Sequence, residues 1–133
     1  MTDLHKRIKA AQRVYVIGNG GSFANAMHMA NDLLSCGVRA YSMDPATFSA
    51  FSNDHGYPNA FRLWLKVIGE KGDLLIALSG SGKSPNILLA CDEARLLGMD
   101  VYTIFGNERG QDMQFAEEHQ LRIGHELLRA LRK

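Results

Sequence analysis

The chain has 133 residues, 46% of them hydrophobic and 22% charged, with a formal net charge of +1 at pH 7. This is enough chain for one domain with its own core, and the ordinary globular composition excludes a disordered or fibrous class. The balanced charge gives no electrostatic case for nucleic acid or an anionic membrane surface. No apolar run approaches the ~20 residues of a membrane span, and the charged start "MTDLHKRIKAAQR" is unlike a secretory leader. Cys36 and Cys91 follow neither a metal-site spacing nor a disulfide framework, and both are expected to pack as small hydrophobes. The expectation is a soluble cytoplasmic protein.

Along the chain, strand-like and helix-like patterns alternate. "RVYVI" (13–17) is rich in β-formers and ends at a glycine. "SFANAMHMANDLLSC" (22–36) follows with Ala26, Met29, Ala30, Leu33 and Leu34 on one helical stripe, stopped by Gly37. "VRAYSM" (38–43) reads as a second strand, and Asp44-Pro45 opens a short loop or helix through "ATFSAFS". "PNAFRLWLKVIG" (58–69) is predicted helical from Pro58, with Phe61, Leu65 and Ile68 at helical spacing. The continuous apolar run "LLIALS" suits a strand covered on both faces.

"SPNILLACDEARLLGM" (84–99) is another amphipathic helix, and "DVYTIFG" (100–106) a further strand. The last segment is ambiguous. "HQLRI" (119–123) alternates like a strand, while the run from Asp112 reads as one long helix with Leu121, Gly124, Leu128 and Leu131 on a face. The helix is favoured, because Glu, Gln, Leu and Arg dominate and no turn residue precedes Gly124. The alternation predicts a single domain over 1–133: an α/β three-layer αβα sandwich on a four- to five-stranded parallel sheet. Ligands of such sheets sit beyond the carboxyl ends of the strands, where the glycine-serine loops 18–22 and 79–84 both fall.

"ALSGSGKS" (77–84) formally satisfies a relaxed nucleotide-binding pattern. Against a kinase, the loop follows the third strand, and the later strand "VYTIFG" ends without an aspartate for magnesium. Serine hydroxyls and backbone N–H groups at a helix start hold a phosphate without metal or nucleotide. A plain serine-glycine turn with Ser84 as helix cap is the third reading of the same loop.

The stretches "GNGGS" followed by "AMH", "SNDHGYPNAF", "LLIALSGSGKSPNILLA" and "ARLLGMDVYTIFG" resemble, in order, the sugar isomerase (SIS) domain, and in particular the phosphoheptose isomerases. The resemblance implies an α/β sandwich that converts sedoheptulose 7-phosphate to D-glycero-D-manno-heptose 7-phosphate, in oligomers with active sites between subunits. By position it implies phosphate-binding serines at Ser79, Ser81 and Ser84, with Lys83 beside them. Sugar contacts fall to Asn19, Gly20, Ser22 and Asp54. Catalysis falls to Asp32 and His125, and a zinc site to His28, Asp32, Glu117 and His125.

Five features depart from the family. Asp32 stands for a glutamate, Glu117 for a glutamine and Lys83 for an asparagine. The long N-terminal helix is cut to the residues before Arg13, and the segment between Gly106 and Glu117 is short for the fifth strand.

Moving a carbonyl between C1 and C2 needs a base, an acid and a means of stabilising the enediolate. His28 and Asp32, four residues apart, share a helix face; Glu117 and His125, eight apart, roughly share another. Two imidazoles and two carboxylates together suit zinc, which would polarise the carbonyl. The duller readings are a buried structural His28 and solvated carboxylates at Asp32 and Glu117. His5, His55 and His119 have no evident partner.

The leading function is therefore a sugar-phosphate isomerase, with a phosphorylated sugar and other copies of the chain as partners. A non-catalytic sugar-phosphate-binding or replication-adaptor module is the alternative. A nucleotide-binding kinase ranks below both.

Overall fold

The computed structural model describes residues 2–106 and 112–132. Strands β1 (Val14–Ile17), β2 (Ala40–Ser42), β3 (Leu74–Ser79) and β4 (Asp100–Phe105) form one sheet in the order β2-β1-β3-β4, and every pairing is parallel. The helices are α1 (Asp3–Ala10), α2 (Gly21–Ser35), α3 (Pro45–His55), α4 (Ala60–Ile68), α5 (Pro85–Leu96) and α6 (Met113–Leu131).

The central strands β1 and β3 are buried along their whole length because both faces are covered, whereas the edge strands β2 and β4 keep exposed residues such as Tyr41, Asp100 and Thr103. Val14, Val16, Leu74, Ile76 and Leu78 point to one side, where they join Leu4 and Ile8 of α1, Ala26, Met29 and Leu33 of α2, and Leu127 of α6. Their neighbours Tyr15, Ile17, Leu75 and Ala77 point to the other, against Phe61 and Leu65 of α4 and Ile87, Ala90 and Ala94 of α5. The period-2 alternation of the strands thus divides one apolar sequence between two cores. This is the expected three-layer sandwich.

Helix α1 is short but firmly placed. Arg7 reaches across to the start of β4, donating to Asp100 Oδ1 at 2.9 Å and to the Val101 carbonyl at 3.2 Å. The C-terminal segment resolves as one helix, α6, with Asp112 as its N-cap accepting from the Phe115 N–H at 3.1 Å. The start of α4 differs from expectation. Pro58 lies in a 3₁₀ turn, Tyr57–Asn59, that follows Gly56 at φ +90°, so α4 begins only at Ala60. The sheet has four strands among the described residues; residues 107–111, in the stretch expected to carry a shortened fifth strand, lie outside them.

Candidate phosphate cleft and acid–imidazole cluster

Strands β1 and β3 are neighbours, so the loops leaving their carboxyl ends lie side by side. Each glycine of "GNGGS" answers a different demand. A Cβ on Gly18 would sit 2.6 Å from the Ser22 carbonyl oxygen, which is backbone and cannot yield. Gly20 caps α2 at φ 55°, ψ −120°, a conformation open to glycine. At Gly21 the space for a Cβ is taken by the Glu117 carboxylate.

The serine loop is organised by its backbone. Ser79, Ser81 and Ser84 Oγ stand 3.5 Å from one another in a triangle. That spacing is looser than the ~2.8 Å of a good O–H···O bond. Ser79 Oγ accepts from the Gly82 N–H at 3.0 Å, and Ser81 Oγ from the Lys83 N–H at 3.1 Å. Their oxygens are engaged as acceptors, so their hydrogens are left to donate. An acceptor-only ligand such as phosphate suits them.

Ser84 occupies the N-cap position of α5 but makes no side-chain capping bond; it turns to the other serines instead. Helix α2 also starts without a side-chain cap or an acidic residue in its first turn. Two uncapped helix N-termini therefore add positive dipole ends at these loops. The cleft they form encloses about 50 Å³ and is lined by Asn19, Ser22, the three serines and Met113.

The two loops are joined by a pair of amides. Asn19 Nδ2 donates to Asn86 Oδ1 at 2.9 Å, and Asn86 Nδ2 returns a bond to Asn19 Oδ1 at 2.8 Å. Asn86 is fully buried in the first turn of α5. Sequence reading missed it, and the one signal was an amide two residues beyond Ser84 in a turn already suspected of binding an anion. Lys83 and Asp54, both expected at the substrate, have exposed positions and do not line the cleft. Asp54 Oδ1 accepts from Asn53 Nδ2 at 3.1 Å near the end of α3.

Further along α2 lies the second cluster. His28 Nε2 and His125 Nε2 are 3.2 Å apart, and Asp32 Oδ2 lies 3.4 Å from His28 Nε2. The ligand atoms of these three residues all lie within 4.8 Å of one another. Asp32 Oδ2 is buried without a hydrogen-bond partner. Atoms bound at about 2.05 Å around a tetrahedral zinc stand roughly 3.3 Å apart. Edges of 3.2 and 3.4 Å fit that geometry, and so does an unpartnered carboxylate oxygen.

Glu117, expected as a fourth ligand, is not brought to the trio. It lies eight residues before His125, about 12 Å along α6 at 1.5 Å per residue, and its carboxylate packs over Gly21.

The residues 3–106 match the family model for the SIS domain. The phosphoheptose isomerase of Sodalis glossinidius is 39% identical over 124 residues, covering 88% of this chain and 63% of that protein. That of Edwardsiella ictaluri is 37% identical over 124 residues, covering 88% of this chain and 64% of that protein. The chain thus spans somewhat less than two thirds of the length of these relatives. Among solved structures, a phosphoheptose isomerase from Francisella tularensis superposes with a TM-score of 0.84 at 28% identity, covering 96% of this chain and 82% of that one. One from Neisseria gonorrhoeae has the same fold, with a TM-score of 0.85 at 22% identity over 96% of this chain and 80% of that one. With the two strand-end loops, the serine triangle and a family model matched over most of its length, the chain belongs to the SIS domain family.

Proposed function

We propose that this chain is a sugar-phosphate aldose–ketose isomerase that interconverts sedoheptulose 7-phosphate and D-glycero-D-manno-heptose 7-phosphate. The observation that carries the reading is the His28–Asp32–His125 trio, in which a buried carboxylate oxygen without a hydrogen-bond partner faces an imidazole. Relatives that bear the name phosphoheptose isomerase support the choice of substrate.

The serine triangle and the two helix N-termini hold the phosphate. Asp32 takes the proton from C1 of the ketose, leaving an enediolate shared between C1 and C2. His125 moves the proton between the two oxygens, and protonation at C2 completes the aldose. Asp32 is one methylene shorter than the glutamate of the resembling family, so it relies on close placement by α2. His28, Asp32 and His125 would hold a zinc ion, leaving a fourth position open. When bound, zinc would polarise the carbonyl and stabilise the enediolate. Asn19 and Ser22 line the same cleft and would contact the sugar beyond the phosphate.

The reading carries two more expectations. The protein works as a dimer or tetramer, in keeping with apolar residues left exposed on outer helices, such as Val67 and Leu96. It works in the cytoplasm; among the described residues no helix is long and apolar enough to cross a membrane.

The test is purified protein with sedoheptulose 7-phosphate in deuterated water, with added zinc and with chelator. Conversion should appear with deuterium at C2 of the aldose. Absence of conversion under both conditions at high protein concentration refutes the isomerase. A rise in Tm with sugar phosphate but no turnover establishes a binding module instead.

A further inference from the structure

Helix α6 supplies His125 to the trio, so its placement on α2 decides whether the trio exists, whereas it adds only Met113 to the rim of the serine cleft. The two helices run parallel: Glu117 lies at Gly21, Gln120 at Asn25, His125 at His28, and the Leu128 carbonyl at Cys36. A Cβ on Gly124 would reach Met29 at only ordinary contact distance, 3.6 Å. Leu127, with Ile123 and Leu131, packs into the same core as Ala26, Met29, Ala30 and Leu33, and apolar contact of this kind is non-directional. A slip of a single residue moves a side chain about 1.5 Å along the axis and about 100° around it, enough to separate the two imidazoles.

The seam also contains a buried, directional amide clasp. Asn25 Nδ2 donates to the Glu117 carbonyl at 2.9 Å and to Gln120 Oε1 at 3.0 Å. Gln120 is 1% exposed, so its amide has no water to fall back on if α6 shifts. Both bonds are satisfied at one register only, and a buried amide that loses its partner is costly.

We infer that Asn25 and Gln120 are positioning residues: their amide clasp fixes the register of α6 on α2 and thereby brings His125 to His28 and Asp32. The inference deepens the proposed isomerase and its metal trio, and it rests on that reading for its consequence but not for its geometry.

The clasp is broken by Gln120→Met, which keeps the side-chain volume while removing the acceptor, and independently by Asn25→Ala. Two readouts are taken on the full chain. Cobalt(II) titration, with its visible band reporting ligand geometry, should show affinity lowered roughly 10- to 100-fold, as for other residues that orient metal ligands. Inorganic phosphate binding to the serine cleft serves as the internal comparison and should fall far less. Amide hydrogen exchange should quicken across 113–131 while β1 and β3 keep their protection.

Wild-type cobalt affinity and unchanged exchange in both variants would overturn the inference. Exchange that quickens evenly over the whole molecule would do the same, since it marks general destabilisation. If the wild type itself binds no cobalt, the metal part of the isomerase reading fails, and hydrogen exchange alone decides the clasp. Quickening confined to α6 still upholds it, and any other pattern refutes it.

Discussion

Replacing Asn86 by leucine isolates what holds the two anion-binding loops together. The change removes both amide bonds to Asn19, at 2.9 and 2.8 Å, from a residue with no solvent exposure. The Ile87 N–H loses Asn86 Oδ1 but keeps the Ser84 carbonyl at 3.1 Å, so the start of α5 survives. At about 1 kcal/mol for each net hydrogen bond, the expected loss is about 2 kcal/mol. For a domain of this size that lowers Tm by roughly 8 °C. The loosened Asn19 loop should also weaken phosphate binding, and a tenfold rise in KM corresponds to about 1.4 kcal/mol. The assay is thermal unfolding with and without inorganic phosphate, together with KM for the sugar phosphate. A double-mutant cycle with Asn19→Leu should show the second substitution adding little to the first. An Asn86→Leu protein with unchanged Tm and KM, or strictly additive losses in the cycle, refutes the view that this pair couples the loops.

Three further outcomes follow from the same geometry. Asp32→Asn should cut kcat by about 10² to 10⁴ with KM for the sugar phosphate nearly unchanged, because the phosphate grip lies elsewhere; steady-state kinetics would show it. Gly18→Ala should cost about 1–3 kcal/mol in denaturant unfolding, since its Cβ meets the Ser22 backbone. Gly21→Ala should cost less, because the Glu117 carboxylate at the end of its side chain can swing away.

Alkaline pH should unfold the protein early. Burial raises the Cys91 thiol above its ordinary 9.0, and burial with the Asp73 carboxylate nearby raises Tyr15 above 10.0. The unfolded chain releases these protons first, so this stability is complete below pH 9 and lost as pH climbs through the raised values. A pH series of Tm measurements checks it, with Cys91→Ala expected to flatten the lower part of the fall.

The layered fold was legible because its signals are local. An apolar run such as "LLIALS", flanked by turns and followed by a helical pattern, states its environment without help from distant residues. The serine loop was legible for the same reason, since its bonds span two to five residues. What stayed hidden depends on pairs far apart in the chain. Asn19 and Asn86 are 67 residues apart, and Asn25 and Gln120 are 95 apart. Nothing at either end announces the partner, because a single side-chain amide in a loop or helix does not name what it will pair with. Glu117 shows the opposite limit: spacing put it roughly on the face of His125, but not how far up α2 it would land.

One question joins the two clusters: whether a single chain can use both on one sugar. His28 follows Ser22 by six residues on α2, about 9 Å along the axis and about 120° around it at 100° per residue. Ser22 is buried at the cleft, whereas the His28 side chain is 48% exposed, so the two groups address different sides of the helix. On the proposed reading, a sugar anchored in the cleft of one chain would meet the trio of a neighbouring copy. Mixing protomers tests this directly. Ser81→Ala protomers and Asp32→Asn protomers, each inactive alone, should recover activity when unfolded and refolded together, because hybrid oligomers restore one complete site. His125→Ala mixed with Asp32→Asn should recover nothing, since those residues belong to one intrachain cluster. Absence of recovery in the first mixture while hybrids form places cleft and trio in the same chain, and recovery in the second shows that the trio is assembled between chains rather than within one.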